Sequence, residues 1–329
     1  MGKAHSNFYY RMKLQTKLSL VFMGTSELSE VILKSLIEKY NVVGVFTKPD
    51  TKIGREHKKS IPIVKKLAEN HKIPVFQPNK FNDEAIETLK KLQPAIVIVA
   101  AYGKIIPRVA LDIPKFGFIN IHVSLLPKYR GPSPIQNAIL AGELQTGITI
   151  MRMDEGVDTG DILAQETAII NPDDNAETLT EKLSHIGASL LLKTIPLWIE
   201  QKIKPQPQNH SAATFCKLIE RDDGRINWAN DAQSIYNRYR ALTPWPGIFS
   251  YWKNGSKTIR LKFISVEFQK NNQPEKYKAG EILEAEDKIG VQTADGIIIL
   301  KEIQKEGRQK MKAKEFTNGH AGFIGSILQ

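Results

Sequence analysis

Asn120, His122 and Asp158 are the residues whose types and spacing could act together as a reaction centre. The apolar run 116–121 predicts a buried strand, so Asn120 and His122 fall at its C-terminal end. Side chains two apart on a strand point the same way. An amide and an imidazole therefore share the edge where open α/β sheets bind ligands. Asp158 lies in the turn Gly156-Val157-Asp158-Thr159-Gly160-Asp161, after a second apolar run at 147–153. An amide donor, an imidazole and a carboxylate suffice for acyl transfer without a metal. Singly, each residue has an ordinary structural role, a strand-end His in packing and an Asn or Asp in a turn. Together, with Ser124-Leu125-Leu126-Pro127 and Arg130-Gly131-Pro132 between them, they favour chemistry.

The elements that must position them follow from the rest of the chain. Its 329 residues allow a large core and two domains. Hydrophobic content of 41% and charged content of 25% are those of a soluble globular protein. One cysteine, Cys216, excludes an intramolecular disulfide and a Cys-rich zinc site, and fits a reducing cytoplasm. No apolar run is long enough to span a bilayer. The net charge of +11 favours a polyanionic partner. Residues 1–17 carry Lys3, Arg11, Lys13 and Lys17, no acid and no apolar secretory core. They read as a disordered or tag-like extension, with Met12 as an alternative start. A transit peptide is the less favoured reading.

Residues 18–23 predict a first strand, a helix follows from Gly24-Thr25-Ser26-Glu27 to Lys39, and 42–47 predict a second strand. This order begins a parallel, doubly wound sheet. The second and third glycines of a dinucleotide fingerprint are missing, and no phosphate-binding P-loop is present. Residues 48–66 break the pattern and hold seven cations against Asp50 and Glu56. A loop of that length is functional or simply solvated. Alternation resumes with a strand near Val75-Phe76, a helix at 82–92, a buried strand at 95–100, a helix at 134–140 and another from Ala176 to Trp198. Residues 202–209, with Pro205 and Pro207, read as an interdomain linker. Beyond it one helix at 231–240 and short strands at 249–252, 259–268, 280–285, 290–293 and 296–303 predict a small β-barrel.

These stretches resemble the bacterial methionyl-tRNA formyltransferases from Leu18 to the end of the chain. The resemblance rests on Phe22-Met23-Gly24-Thr25, Thr47-Lys48-Pro49-Asp50, Ala101-Tyr102-Gly103, Asn120-Ile121-His122, the stretch 124–131, Pro134-Ile135-Gln136 and the stretch 154–161. In the second half it rests on Asp223-Gly224-Arg225-Ile226, the stretch 240–247 containing Pro244-Trp245-Pro246-Gly247, and Glu315-Phe316-Thr317-Asn318-Gly319. The first set is shared by other enzymes that use formyl-tetrahydrofolate, and the last two are more specific. The resemblance implies an α/β fold, with a Rossmann-like formyltransferase domain and a C-terminal barrel like the OB-fold. The expected division is an extension at 1–17, a catalytic domain at 18–201, a linker at 202–212 and a tRNA-binding barrel at 213–329.

The resemblance further implies formyl transfer from 10-formyltetrahydrofolate to the amino group of methionyl initiator tRNA, a reaction expected in the cytoplasm. The formyl group is already activated on nitrogen, so no metal is expected, and the lack of an exposed heptad or long apolar edge predicts a monomer. The family's catalytic trio falls on Asn120, His122 and Asp158. Asn120 is expected to stabilise an oxyanion, His122 to handle the proton, and Asp158 to orient His122 and favour its imidazolium form. Formyl-folate contacts are expected at Tyr102, Gly103, Ser124, Leu125, Leu126, Pro127 and Asp154, mainly through backbone groups. The tRNA contacts are expected at Lys52, Arg55, Lys58 and Lys59 in the basic insertion, at Arg130, and at Lys305, Arg308, Lys310, Lys312 and Lys314. Glu56-His57 follow Arg55 where the family has Gly and then a basic residue, and Ser26 stands where Pro is typical. A second role for Arg130, as a surface residue over packed leucines, is equally open at this stage. Among alternatives, small-nucleotide formyltransferases and formyltetrahydrofolate hydrolases share the trio but have no need of a basic barrel. A sugar-nucleotide formyltransferase is the closest rival. A non-catalytic nucleic-acid-binding protein conflicts with the intact trio, and a nicotinamide-dependent oxidoreductase with the missing glycines.

Overall fold

A computed structural model describes residues 18–53, 58–270, 276–285 and 288–329. The chain divides into two compact units. The described residues up to Pro134, Gln145–Ile169 and Thr180–Lys217 form the first, and Ile135–Leu144, Ile170–Leu179 and Leu218–Gln329 the second. The expected extension at 1–17 lies outside the described residues.

In chain order the elements begin with β1 (Ser19–Gly24), α1 (Glu27–Ile37), β2 (Asn41–Phe46), β3 (Thr51–Ile53), β4 (Lys58–Ser60), α2 (Ile63–Asn70), β5 (Val75–Phe76) and α3 (Asp83–Leu92). They continue with β6 (Ile96–Ala100), α4 (Arg108–Leu111), β7 (Phe118–His122), α5 (Pro134–Leu140), β8 (Gln145–Arg152), β9 (Ile162–Ile169) and α6 (Ala176–Ile199). The sheet of the first unit runs β5-β2-β1-β6-β7-β8-β9. Strands β5 to β7 pair in parallel, and β8 and β9 are antiparallel additions. Both faces of the parallel part are covered, which its uninterrupted apolar strands require. Val21, Met23, Val97, Val99 and Phe118 pack on one face with Ala85, Ile86 and Leu89 of α3. Leu20, Phe22, Ile96 and Ile98 alternate with them and are fully buried.

The turn from β1 into α1 is tied to the neighbouring strand by a single hydroxyl. Ser29 Oγ accepts from the backbone N–H of Thr25 and Ser26 (3.0 and 3.1 Å) and donates to Ala100 O (2.7 Å). Gly24 is required by the close approach: a Cβ there would lie 2.7 Å from Phe22 Cε1 and 2.8 Å from Ala100 O. Residues 48–66, expected as one long loop, contain the antiparallel pair β3–β4, which matches Lys52 with Lys59, and the first turn of α2. Arg55, Glu56 and His57 lie outside the described residues. Strand β9 was not expected, because its buried and open positions alternate as in an edge strand and its polar residues hide the pattern. The stretch 202–212, expected as a linker, is drawn into the first unit, where Gln206 and Ile162 exchange two backbone hydrogen bonds (2.8 and 2.9 Å).

The second unit adds α7 (Ala232–Leu242), β10 (Ile248–Asn254), β11 (Lys257–Lys270), β12 (Ile282–Ala285), β13 (Lys288–Gln292), β14 (Gly296–Lys305), β15 (Lys310–Lys312) and α8 (Ala313–Asn318). Its antiparallel sheet runs β10-β11-β14-β13-β12, with β15 on β14. The chain end curls this sheet. Gln329 exchanges backbone hydrogen bonds with Tyr251 on β10, while Ser326 O accepts from Ile282 N on β12 (2.9 Å). Trp252, Phe316 and Phe323 meet edge-on inside the curl, with ring centroids 4.9–5.9 Å apart. This curled half-barrel stands where the spacing of short strands predicted a small β-barrel.

Gly24→Ala is expected to cost about 1–3 kcal/mol through overpacking, read as a lower urea midpoint. An unchanged midpoint would mean that Phe22 and the β6 end can move aside.

Candidate active site

Asn120 and His122 stand at the C-terminal end of β7, the last parallel strand. Asn120 pairs with Val99 on β6 and Met151 on β8, and His122 pairs with Thr149. Ile119 and Ile121, which alternate with them, are core residues, so alternation fixes the amide and the imidazole on the opposite side.

The following loop is held by side chains from β8 and β9. Thr149 Oγ1 donates to Ser124 O (2.7 Å) and accepts from Leu126 N (3.0 Å). Gln165 Nε2 donates to Leu126 O and to Thr149 Oγ1, both at 2.9 Å. Ser124 Oγ closes the loop on Lys128 O (2.6 Å). Tyr129 then takes a left-handed conformation, φ 59°, which turns its carbonyl onto His122 Nε2 at 2.9 Å. A carbonyl only accepts, so the hydrogen-bond network assigns the proton to Nε2. The other ring nitrogen, Nδ1, faces Asp158 Oδ1 at 3.5 Å. Neutral His122 thus presents its lone pair, and imidazolium its second proton, to that carboxylate.

Asp158 comes from the loop between β8 and β9. Asp154 Oδ1 shapes that loop by accepting from Gly156 N (3.1 Å) and Thr159 Oγ1 (2.6 Å). Asp158 itself sits at φ 53°, a conformation that Asp tolerates better than most residues. Its Oδ2 accepts from Gly131 N (2.9 Å), and its Oδ1 from Asn120 Nδ2 at a long 3.4 Å. The three expected catalytic residues are therefore brought together, with the carboxylate at the centre. The long contacts at Oδ1 leave room to tighten when a reactant is bound.

A residue that the sequence reading missed ties both loops together. Gln208 is 6% exposed. Its Nε2 donates to Asp158 O (2.9 Å) and Gly160 O (2.7 Å). Its Oε1 accepts from Arg130 Nη2 (2.7 Å) and Nε (3.2 Å). Residues 214–216 hold the same loop: Thr214 Oγ1 accepts from Tyr129 N (2.8 Å), Arg130 N donates to Thr214 O (2.9 Å) and Arg130 O accepts from Cys216 N (2.8 Å). The sequence signal was slight. Pro205 and Pro207 enforce an extended run, but nothing local marks Gln208 as buried.

Several expected contacts need correction. Arg130 was expected to meet phosphate. It is 3% exposed, with its guanidinium committed to Gln208 and to His210 Nδ1 (3.1 Å), so it is internal to the site. Tyr102 was expected beside the folate, but its ring is 2% exposed in the core, and burial pushes its phenol above the ordinary value. Leu126 is likewise in the core, and the Ser124 hydroxyl is used by the loop. Leu125 and Pro127 are half-buried, and Gly103 and Asp154 are exposed. The basic run at 305–314 is split by register. Lys310 and Lys312 project from one face of β15, Lys310 paired with Glu302 at 3.0 Å. Lys305 pairs with Leu261 of the core row. Arg308 is exposed in the β14–β15 turn, and Lys314 is exposed on α8. Lys52, Lys58 and Lys59 lie on β3 and β4.

Two outcomes test this clamp. Gln208→Leu would strand two carbonyls and a buried guanidinium, costing about 3 kcal/mol of stability, and is expected to lower kcat more than it raises KM. An unchanged kcat in the folded variant would reduce Gln208 to packing. Burial also raises the Cys216 thiol pKa. Iodoacetamide at pH 8 is expected to label it at least tenfold more slowly in the native protein than in urea, and equal rates would contradict its burial.

Residues 17–195 match the formyl transferase family and residues 218–321 the formyl transferase C-terminal domain. The methionyl-tRNA formyltransferase of Caldicellulosiruptor saccharolyticus is 44% identical over 316 residues, spanning 94% of this chain and 100% of that one. That of Staphylococcus epidermidis is 39% identical over 313 residues, with 94% and 99% covered. Among solved structures, an N-formyltransferase from Helicobacter canadensis, in complex with folinic acid and dTDP-3-aminofucose, superposes with a TM-score of 0.63 at 22% identity. That match covers 89% of this chain and 100% of that one. HypX from Aquifex aeolicus, in complex with tetrahydrofolic acid, gives 0.62 at 16% identity, with 93% and 48% covered. The structural likenesses establish the fold, and the full-length sequence identity establishes that this chain belongs to the methionyl-tRNA formyltransferase family.

Proposed function

We propose that this protein transfers the formyl group of 10-formyltetrahydrofolate to the α-amino group of methionyl initiator tRNA, and so serves translation initiation in the cytoplasm. The Asn120–His122–Asp158 cluster supports formyl transfer, and the full-length identity to methionyl-tRNA formyltransferases carries the choice of acceptor. Asn120 Nδ2 donates to the formyl oxygen as negative charge develops there. His122 takes the proton of the attacking amine on Nδ1 and returns it to the leaving N10 nitrogen. A carbon–nitrogen bond forms to the amine as the bond to N10 breaks, and no proton or electron is gained or lost. Asp158, anchored by Gly131 N, faces Nδ1 and holds the imidazolium that forms in between.

The folate is assigned to the exposed backbone at Gly103, the half-buried Leu125 and Pro127, and the turn at Asp154. The tRNA is assigned to Lys52, Lys58 and Lys59 on the β3–β4 hairpin with Arg55 in the same insertion, and to Arg308, Lys310, Lys312 and Lys314. We read the enzyme as a monomer. No helix among the described residues is long and apolar enough to cross a membrane.

Single-turnover formylation of methionyl initiator tRNA, with methionyl elongator tRNA in parallel, tests the reading. Transfer to the initiator alone supports it. No transfer to either, with a sugar-nucleotide amine formylated instead, overturns it in favour of the rival. Asp158→Asn is expected to lower the single-turnover rate by about 10²–10⁴, and Asn120→Ala by about 10²–10³. A near-normal rate in Asp158→Asn rules out the charge role.

A further inference from the structure

One face of the β10–β11 hairpin holds cations that no carboxylate neutralises. Lys262 pairs across the strands with Phe249, and Arg260 with Tyr251. Residues two apart share a face, so these four stand together, opposite the core row of Leu261 and Phe263. The Arg260 guanidinium lies 3.7 Å from the centroid of the Phe249 ring, and Arg225 lies over Tyr251 at 5.5 Å. The rings form a floor, edge to face at 5.7 Å, beneath these two arginines, with Lys262 beside them on the same face. The row continues across the sheet from Lys262 to Gln304 on β14 and Lys310 on β15.

These charges are unspent. Among the described residues no ion pair joins Arg225, Arg260 or Lys262 to an acid. Arg260 Nε is buried and has no hydrogen-bond partner. Burial lowers the pKa of Lys262, and the neighbouring charge of Arg260 lowers it further. Holding two like charges side by side, half out of water, is unfavourable, and an anion on that face would relieve it.

The hairpin begins at a turn that supplies the other half of a site. Gly247, at φ 74°, has no Cβ, and the Lys262 stem runs through the space that a Cβ would fill. Two residues before it, Trp245 is 58% exposed, whereas Trp228 and Trp252 are buried at 4% and 1%. An indole left in water two residues before the turn that packs on Lys262 matches a nucleotide: a phosphate takes the charges, and any base offers a face to stack on.

We propose that Arg225, Arg260 and Lys262 form a phosphate-binding site on the second unit, at which Trp245 stacks on an unpaired base of the bound RNA. The proposal rests on the reading of an RNA substrate and adds Arg225, Arg260, Lys262 and Trp245, which lie outside the basic runs at 48–66 and 305–314. Like charge elsewhere on the chain argues against a second copy as the occupant, given the net charge of +11.

Binding of initiator tRNA, and separately of an oligouridylate, is measured over a salt series. The variants are Lys262→Gln, Arg260→Gln and Trp245→Ala, with Lys91→Gln on α3 as the surface-charge control. Lys262→Gln is expected to reduce the slope of log K against log salt by about one. Trp245→Ala is expected to weaken binding about tenfold with the slope unchanged. Single-turnover transfer at subsaturating tRNA falls in step with affinity in both, while Lys91→Gln keeps the wild-type rate and affinity. Arg260→Gln uncovers Phe249 and can unfold the hairpin, so Lys262→Gln decides. Variants that bind both RNAs with the wild-type affinity and slope overturn the site while leaving the proposed reaction standing. A protein that binds oligouridylate through these residues but formylates no methionyl-tRNA keeps the site and overturns the substrate.

Discussion

The Asp158 carboxylate is the contact on which the reaction centre depends. It faces the imidazole with one oxygen and is anchored by Gly131 N with the other, so one short side chain joins β7, the loop after it and the loop between β8 and β9. None of these pieces is rigid alone. Asp158 and Tyr129 both occupy left-handed conformations that a free loop would leave. Gln208 keeps them there from behind, by satisfying the Asp158 and Gly160 carbonyls and the Arg130 guanidinium at once. A network of this kind orients its members strongly because each buried polar group left unpaired carries a penalty.

The same logic separates the arginines. Arg130 lies within a few residues of His122, and by sequence it was as well suited to a phosphate as to the interior. The fold spends its charge on Gln208 and His210. Arg240 is also internal, donating to Asn237 and to the Asp174 carbonyl (2.6 and 2.9 Å). Arg240 and Arg260 each cover an aromatic ring and each leave Nε without a partner, but only Arg240 spends its other two nitrogens on internal acceptors. What a cation can do for a ligand is therefore set by what it is already doing for the protein, and the net charge of the chain does not distinguish these cases.

The proposed function divides between the units accordingly. The first presents a polar cluster at the carboxyl end of a parallel sheet, where backbone ends and loops leave room for a reactant. The second presents a curled antiparallel sheet with one face in the core and the other rich in lysine and arginine. Asn120, His122 and Asp158 need a dry, fixed setting, whereas phosphate contacts need cations reachable from water.

Much of this was legible in the sequence. The apolar runs at 95–100 and 116–121 could be only buried strands, and their alternation with helical segments gave the doubly wound order. Asn120 and His122, two apart on such a strand, had to share a side, and the glycines around Asp158 announced its turn. The short strands after 248 announced the curled sheet. Strand β9 and the roles of Gln208, Thr149 and Arg130 were decided by the tertiary structure alone. Each depends on partners far away in sequence: Gln208 lies 50 residues from Asp158 and 78 from Arg130. Sequence pattern reports which side of an element is apolar, because burial repeats with the period of the strand or helix. It does not report which polar group meets which, because that is fixed only when distant segments pack and their buried hydrogen-bonding groups must all find partners.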